Sequence, residues 1–400
     1  GKNAFAAVNL IMPFLMGISA LGFMIGTGGS AIVAKTLGEG RTEKANEYFS
    51  MLVYITAIGG IIIAILSMFL VKPVAILFGA NGALLDNCIL YGRILCISLP
   101  AFMLQNVFQS FFVTAEKPHL GLRVIVIAGV TNMVLDFLFV AVLHFGLPGA
   151  GFATVCGEFI GGLFPLFYFG RKNSSLLKLG KTHFHGRILL KTCTNGSSEL
   201  MTNLSSSIVN ALYNMQLMKF AGEDGVAAYG TIMYVNFIFV SIFLGYAIGS
   251  APIVSYHYGA GNQDELKNLF LKSIRLIGTW AVSLFVIAQL IATPLATLFV
   301  GYDHGLFELT RNGFRLYSFA FLINGFNIYG SAFFTALNNG LLSALISFLR
   351  TLVFQMAIVL LLPLILGING VWCSVAIAEL LTLCVTGTFI IRKRSTYHYF

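Results

Sequence analysis

Residues 5–34, 225–256 and 276–302 contain no Asp, Glu, Lys or Arg. A helix crosses the hydrocarbon of a bilayer with roughly 20 predominantly apolar residues. Each of these runs exceeds that length, so lipid, not water, is the solvent this chain is built for. Composition agrees. Of the 400 residues, 58% are hydrophobic and 10% charged, with a mean hydropathy of +0.87. Soluble domains carry roughly 45–50% apolar and about 25% charged residues. Eleven candidate spans follow: 5–34, 50–71, 90–114, 120–143, 150–170, 193–218, 227–256, 276–300, 310–336, 341–366 and 370–391. Barrel strands would give short alternating runs, so the predicted fold is an all-α integral membrane protein. The first segment is too long and too rich in glycine for a cleaved signal peptide. The cysteines Cys88, Cys96, Cys156, Cys193, Cys373 and Cys384 show no CxxC or metal spacing and read as small core residues.

Basic residues gather in alternate loops. Lys35, Arg41 and Lys44 follow the first span, Lys117 and Arg123 the third, and a group from Arg171 to Lys191 the fifth. Lys267, Lys272 and Arg275 follow the seventh, and Arg392, Lys393 and Arg394 close the chain. The positive-inside bias then predicts a cytoplasmic C-terminus. It also accounts for the net charge of +9 without nucleic acid.

A spacing of 221 residues recurs along the chain. Gly38-Glu39-Gly40 matches Gly259-Ala260-Gly261, Gly92 matches Gly313, and Thr114-Ala115 matches Thr335-Ala336. Residues 146–149 (GLPG) match 367–370 (GING), and Glu158 matches Glu379. Gly22 and Gly26 match Gly245 and Gly249 at a spacing of 223. One period holds six spans, an even number, so both halves share one topology: two pseudo-symmetric six-helix lobes in a parallel repeat. The expected division is a first lobe over 1–180, a cytoplasmic linker over 181–192 and a second lobe over 193–400. The first-lobe copy of the helix opening at Cys193 would precede residue 1, so eleven of twelve helices are expected, with the first missing.

Residues 22–40, 132–136, 225–229, 245–261 and 367–379, with Arg350, together carry a resemblance to the multidrug and toxic compound extrusion (MATE) family, in its bacterial DinF/MepA-like branch. Residues 22–40 (GFMIGTGGSAIVAKTLGEG) resemble that family's second helix and following loop, and Asn132-Met-Val-Leu-Asp136 its fifth helix. Residues 225–229 (GVAAY) with 245–261 (GYAIGSAPIVSYHYGAG) are similar to its seventh and eighth helices. Arg350 with residues 367–379 (GINGVWCSVAIAE) is similar to its last two. The resemblance implies a secondary antiporter in which H+ or Na+ enters as a drug-like, often cationic, molecule leaves. It also implies that Asn132, Asp136 and Thr154 belong to a cation site in the first lobe. In related pumps an Asp on the first helix completes that site.

Ionisable groups inside a membrane cost about 2.5–3.5 kcal/mol on insertion scales and face a cavity or a partner. Asp136 lies ten residues before Gly146, or roughly 15 Å along a helix, with Asn132 one turn away on the same face. Glu158 sits nine residues past Gly149, with Thr154 one turn before it. Two adjacent antiparallel helices therefore bring Asp136 and Glu158 to similar depth. Oxygen ligands of this kind suit a hard cation, and close carboxylates share a proton. Glu158 has two readings: part of the coupling or substrate cavity, or a structural group with the role of its repeat mate Glu379. Glu199, near the inner end of its helix, is a candidate for the cytoplasmic mouth of a substrate cavity. Arg350 and Glu379 lie on consecutive helices and are expected to pair structurally.

Gly26, Gly28 and Ala31 fit G-x-G-x-x-A, but no strand precedes them, so a dinucleotide site is rejected. Gly22, Gly26 and Ser30 read instead as small-residue helix packing, repeated by Ser241, Gly245 and Gly249. Pro13 and Pro252 are expected to interrupt their helices, as hinges or packing kinks. No HExxH, P-loop or GxSxG motif is present, so no enzyme and no cofactor is expected, and no metal beyond Na+. The expected partners are small lipophilic or cationic molecules and lipid, with the protein a monomer. The alternative function is a lipid-linked oligosaccharide flippase; such a protein would carry Lys or Arg in its cavity, and Arg350 is the single intramembrane candidate.

Overall fold

The computed structural model describes residues 2–399; Gly1 and Phe400, the outer limits of the two expected lobes, lie outside it. Among the described residues every regular element is helical, as a lipid-embedded backbone with no water to bond requires. The first five helices are α1 (Lys2–Gly38), α2 (Thr42–Leu77), α3 (Gly82–Thr114), α4 (Pro118–Asp136) and α5 (Gly146–Gly170). Then come α6 (Gly186–Gly259), α7 (Gln263–Val300), α8 (His304–Tyr317) and α9 (Asn324–Ala336). The last four are α10 (Gly340–Phe348), α11 (Gln355–Leu361), α12 (Pro363–Leu366) and α13 (Ile368–Tyr397). A 3-10 turn (Ser318–Leu322) joins α8 to α9, and π-helical turns extend α4 (Phe137–Val142) and α10 (Leu349–Phe354).

Ten of these stretches are long and apolar enough to cross a bilayer. One is α6, 74 residues long, whose backbone leaves helical geometry at Gly222 (φ 62°, ψ −149°). Two helices, 186–221 and 223–259, meet at that glycine, and the described chain has the eleven spans expected. The helices overshoot the apolar runs. α2 has 36 residues where the sequence indicates a span over 50–71, because polar residues such as Thr42, Glu43, Lys44 and Asn46 form its first turns ahead of the apolar run. α8 starts where Asp303 accepts the Leu306 amide at 3.0 Å.

The repeat is visible in the backbone. Gly40 and Gly261, 221 residues apart, both take positive φ (76° and 70°), as do Gly146 and Gly367 (61° and 58°). Each lies at a helix end, Gly146 at the start of α5, where a side chain would be strained. Gly92 and Gly313 are both tightly packed: a Cβ would come within 2.8 Å of Val71 and of Trp372, respectively.

The chain forms two compact units, Gly1–Asn203 and Leu204–Phe400. In the first, glycines bring backbones together. A Cβ on Gly22 or Gly26 would press on the carbonyl of Met103 or Asn106 in α3, and one on Gly162 would overlap Ala101. Around these contacts the rings of Phe49, Phe108, Phe111 and Phe169 build a core, with Phe108 and Phe169 stacked at 5.6 Å. The second unit buries Phe243, Phe314, Phe321, Phe333 and Trp372.

Three expectations change. The segment outside helices is 171–185, not 181–192, because α6 begins at Gly186. Residues 186–203 pack with the first unit, since Gly28 and Gly196 let α1 meet α6 with no room for a side chain. The loop is strapped along α2: Lys178 N donates to Asn46 Oδ1 (2.7 Å), Gly180 N to Ser50 Oγ (3.0 Å), and Tyr54 Oη to the Gly180 carbonyl (3.0 Å). Second, Gly245 and Gly249 do not pack like their counterparts: a Cβ at either would meet nothing within 4 Å. The buried face of that helix carries Phe243, Ala247 and Val254 instead. Third, helical backbone runs through both Pro13 and Pro252, and the break in α6 falls at Gly222.

These contacts predict that Gly162→Leu, which drives a side chain into the Ala101 backbone, costs about 1–3 kcal/mol. Gly245→Leu, which enters open space, should leave stability unchanged. Thermal midpoints of the purified protein in detergent, compared by fluorescence-detected size exclusion, measure the difference.

Candidate functional site

The antiparallel pair α4 and α5 carries the first set of polar groups. It closes tightly because Gly157 faces the Ala128 carbonyl, where a Cβ would sit 2.9 Å away. This approach lets Asn132 Nδ2 donate to Thr154 Oγ1 across the pair at 3.2 Å. Thr154 Oγ1 in turn donates to the Ala150 carbonyl at 3.1 Å. With its amide nitrogen so engaged, Asn132 keeps its carbonyl oxygen available, and Thr154 keeps a lone pair. Asp136 lies one turn further along α4, half-buried, at the junction with the π-helical turn. Among the described residues no donor reaches its carboxylate. The structure thus joins two of the three predicted residues directly and stations the third beside them. Tyr91 of α3, absent from the sequence reading, stands within electrostatic range of both Asp136 and Glu158.

Glu158 lies one turn beyond Thr154 on α5, on the same side of the helix, and meets α3. Its Oε2 accepts from Ser98 Oγ of α3 at 2.5 Å. It borders a cavity of about 20 Å³ that Met12, Leu15, Leu95 and Phe102 help to enclose, enough for one water molecule.

The repeat mate lives differently. Glu379 of α13 is almost fully buried and receives Arg350 Nε at 2.8 and 3.1 Å. Asn327 Nδ2 adds a bond to Glu379 Oε2 (2.7 Å) and another to its carbonyl (2.8 Å). Beside this pair runs a ladder of hydroxyls. Ser331 Oγ meets Ser343 Oγ and Ser347 Oγ at 2.9 Å each, and Thr335 Oγ1 meets Ser343 Oγ at 2.7 Å. At 221 residues before Arg350 stands Gly129, and before Ser343 and Ser347 stand Leu122 and Val126. The first unit therefore lacks counterparts of Arg350 and of two members of the ladder. The shared structural role read from sequence does not describe both carboxylates: Glu379 is neutralised, whereas Glu158 has a hydroxyl and a water-sized space.

Glu199 lies half-buried on α6, in the stretch that packs with α1, and its carbonyl accepts from Asn203 Nδ2 at 2.8 Å. It is on neither α4 nor α5 and is not a partner in the Asn132–Thr154 bond. The Asn327 contribution had one sequence signal, its mate Asn106 at the same 221 spacing, though Asn106 turns instead to the Ser19 carbonyl (3.4 Å). Ser98 had none, since its contact with Glu158 spans two helices.

Comparison with known proteins decides the family. The MatE family matches residues 1–138 and 200–382, most of the chain. The chain belongs to the MatE family. Relatives agree. The multidrug export protein MepA of Staphylococcus saprophyticus is 21% identical over 394 residues, covering 98% of this chain and 85% of that protein. An FAD transporter of Shewanella oneidensis is 22% identical over 309 residues, covering 75% and 67%. A crystal structure of a MATE protein in complex with MaL6 superposes with a TM-score of 0.94 at 24% identity, over 99% of this chain and 90% of that one. This MatE protein is accordingly a multi-pass membrane transporter and not an enzyme.

Within this MatE chain the buried ion pair makes a sharp energetic prediction. Arg350→Met strands the Glu379 carboxylate and should cost about 3–5 kcal/mol. The double variant Arg350→Met/Glu379→Leu removes both charges and should recover much of that loss. Chemical or thermal unfolding of the three proteins in one detergent tests it.

Proposed function

We propose that this protein exports small organic compounds, cationic ones among them, by antiport against H+ or Na+. Asn132, Asp136 and Thr154 serve as its cation site. The observation that carries this reading is the Asn132–Thr154 bond, which fixes two oxygen-bearing side chains beside a carboxylate that no donor satisfies. Such a carboxylate inside an apolar helix pair gains from binding a proton, which removes the charge. It gains equally from Na+, for which the Asn132 carbonyl and Thr154 hydroxyl supply further oxygens. Either ion changes the charge of the α4–α5 pair, and an ion biases a conformational equilibrium only through such a difference between states.

The relatives' names support export of drugs, and the family resemblance supports alternating access with an ion gradient as the energy source. Glu158, with its single hydroxyl donor and small cavity, is a second proton-accepting group in the same unit. Glu199 attracts cationic substrates. Arg350 and Glu379 hold the second unit together. The protein sits as a monomer in a bacterial inner membrane with its C-terminus cytoplasmic, a placement supported by the basic residues in alternate loops.

Expression in efflux-deficient bacteria and measurement of ethidium efflux tests the proposal. Asp136→Asn should reduce efflux to background, and Asn132→Ala or Thr154→Ala should weaken it. Everted vesicles given a proton gradient or a Na+ gradient alone identify the ion. Efflux untouched by Asp136→Asn would move the coupling site elsewhere.

A further inference from the structure

Away from the polar residues of α4 and α5, α2 and α3 enclose a groove of about 390 Å³. Its wall is Met68 of α2 and four branched aliphatic side chains of α3, with Asp86 and Arg93 on the same helix. It opens towards lipid: Leu66, Phe69 and Leu70 on α2, and Leu90 and Ile97 on α3, are large apolar side chains left exposed. Two opposite charges in such a wall need an explanation, because neither is satisfied by the other. Among the described residues no carboxylate comes within 4.0 Å of Arg93, and Asp86 enters no ion pair. Arg93 spends one N–H, from Nε, on the Met68 carbonyl at 3.3 Å. That bond holds the guanidinium at the groove and leaves its terminal donors to a ligand.

The depths of the two charges specify that ligand. α3 has 33 residues, roughly 50 Å, against about 30 Å of hydrocarbon. Centred on the bilayer, it projects roughly 10 Å at each end. Asp86 is four residues past Gly82, roughly 6 Å along the axis, and stands among headgroups. Arg93 is eleven residues past Gly82, roughly 16 Å, just inside the hydrocarbon edge, from where an arginine reaches outward to the phosphate level. The positive group is therefore the deeper one and the negative group the shallower one. Phospholipids with an amine headgroup have the complementary order: the phosphate is next to the glycerol and the ammonium is outermost. A headgroup without an amine, such as glycerol, would put no cation opposite Asp86. A trimethylammonium would offer that carboxylate no N–H, while a primary ammonium offers three.

We infer that this groove binds an aminophospholipid of the phosphatidylethanolamine type, phosphate on Arg93, ammonium on Asp86, with an acyl chain along the aliphatic wall. The site is independent of the transport reading above. It makes the α2–α3 edge of the first unit a specific lipid contact.

Native mass spectrometry of the purified protein, equilibrated with equimolar phosphatidylethanolamine, phosphatidylcholine and phosphatidylglycerol of identical acyl chains, tests it. The wild type should retain phosphatidylethanolamine over the other two by roughly tenfold, the scale of one charge-assisted hydrogen bond. Asp86→Asn should abolish the preference for ethanolamine over choline while lipid is still retained. Arg93→Gln should lower retention of all three. Lys72→Gln, a nearby cation outside the groove, should change nothing. Equal retention of the three lipids by the wild type would overturn the inference, as would a preference for phosphatidylglycerol or an ethanolamine preference that survives Asp86→Asn. If Arg93→Gln does not fold, Asp86→Asn on the protein surface decides alone.

Discussion

A bilayer interior offers no hydrogen bonds, and it does not push helices together, since lipid tails are as apolar as leucine. Everything else in this protein answers those two facts. The first leaves helix as the backbone state of every span. The second hands cohesion to close contact and to interior polar bonds. The glycines at 22, 26, 157 and 162 supply the contact in the first unit, each with a neighbouring backbone where its side chain would be. They also set the chemistry, because Asn132 reaches Thr154 only when α4 and α5 approach this closely.

The duplicated halves agree in backbone and disagree in charge. Gly40 and Gly261 turn alike, as do Gly146 and Gly367, so the two copies share helix ends and spacing. At the paired positions Glu158 and Glu379 the surroundings diverge. One carboxylate has a guanidinium and an amide; the other has a serine hydroxyl. Arg350 against Gly129 accounts for the difference with one residue. The Glu379 carboxylate is compensated in place by the guanidinium, whereas Glu158 makes a neutral contact with the Ser98 hydroxyl. The second unit is thus built as the electrostatically settled copy.

Much of this was legible in the sequence. Apolar runs without charge located the spans, a fixed 221-residue offset located the repeat, and the family resemblance grouped Asp136 with Asn132 and Thr154. Features depending on which face of a helix meets which neighbour were not legible. Gly245 and Gly249 have the same spacing as Gly22 and Gly26, yet they face open space, because small-residue spacing does not say what lies opposite. The unit boundary moved to Asn203 because tight packing at Gly196 ties the start of α6 to α1. Ser98 and Tyr91 escaped notice because they enter from a third helix, and nothing local to α4 or α5 announces them.

The hydroxyl ladder in the second unit has a consequence for the join between α9 and α10. Ser331, Ser343, Ser347 and Thr335 meet oxygen to oxygen, and in each contact either hydroxyl can donate. Ser331 Oγ also reaches the Ser343 carbonyl at 3.2 Å, so α9 and α10 are joined through backbone as well as side chains. Each buried hydroxyl in the row is matched by another, so an apolar replacement at one of them leaves its neighbour short of a partner, at a cost of about 1–3 kcal/mol.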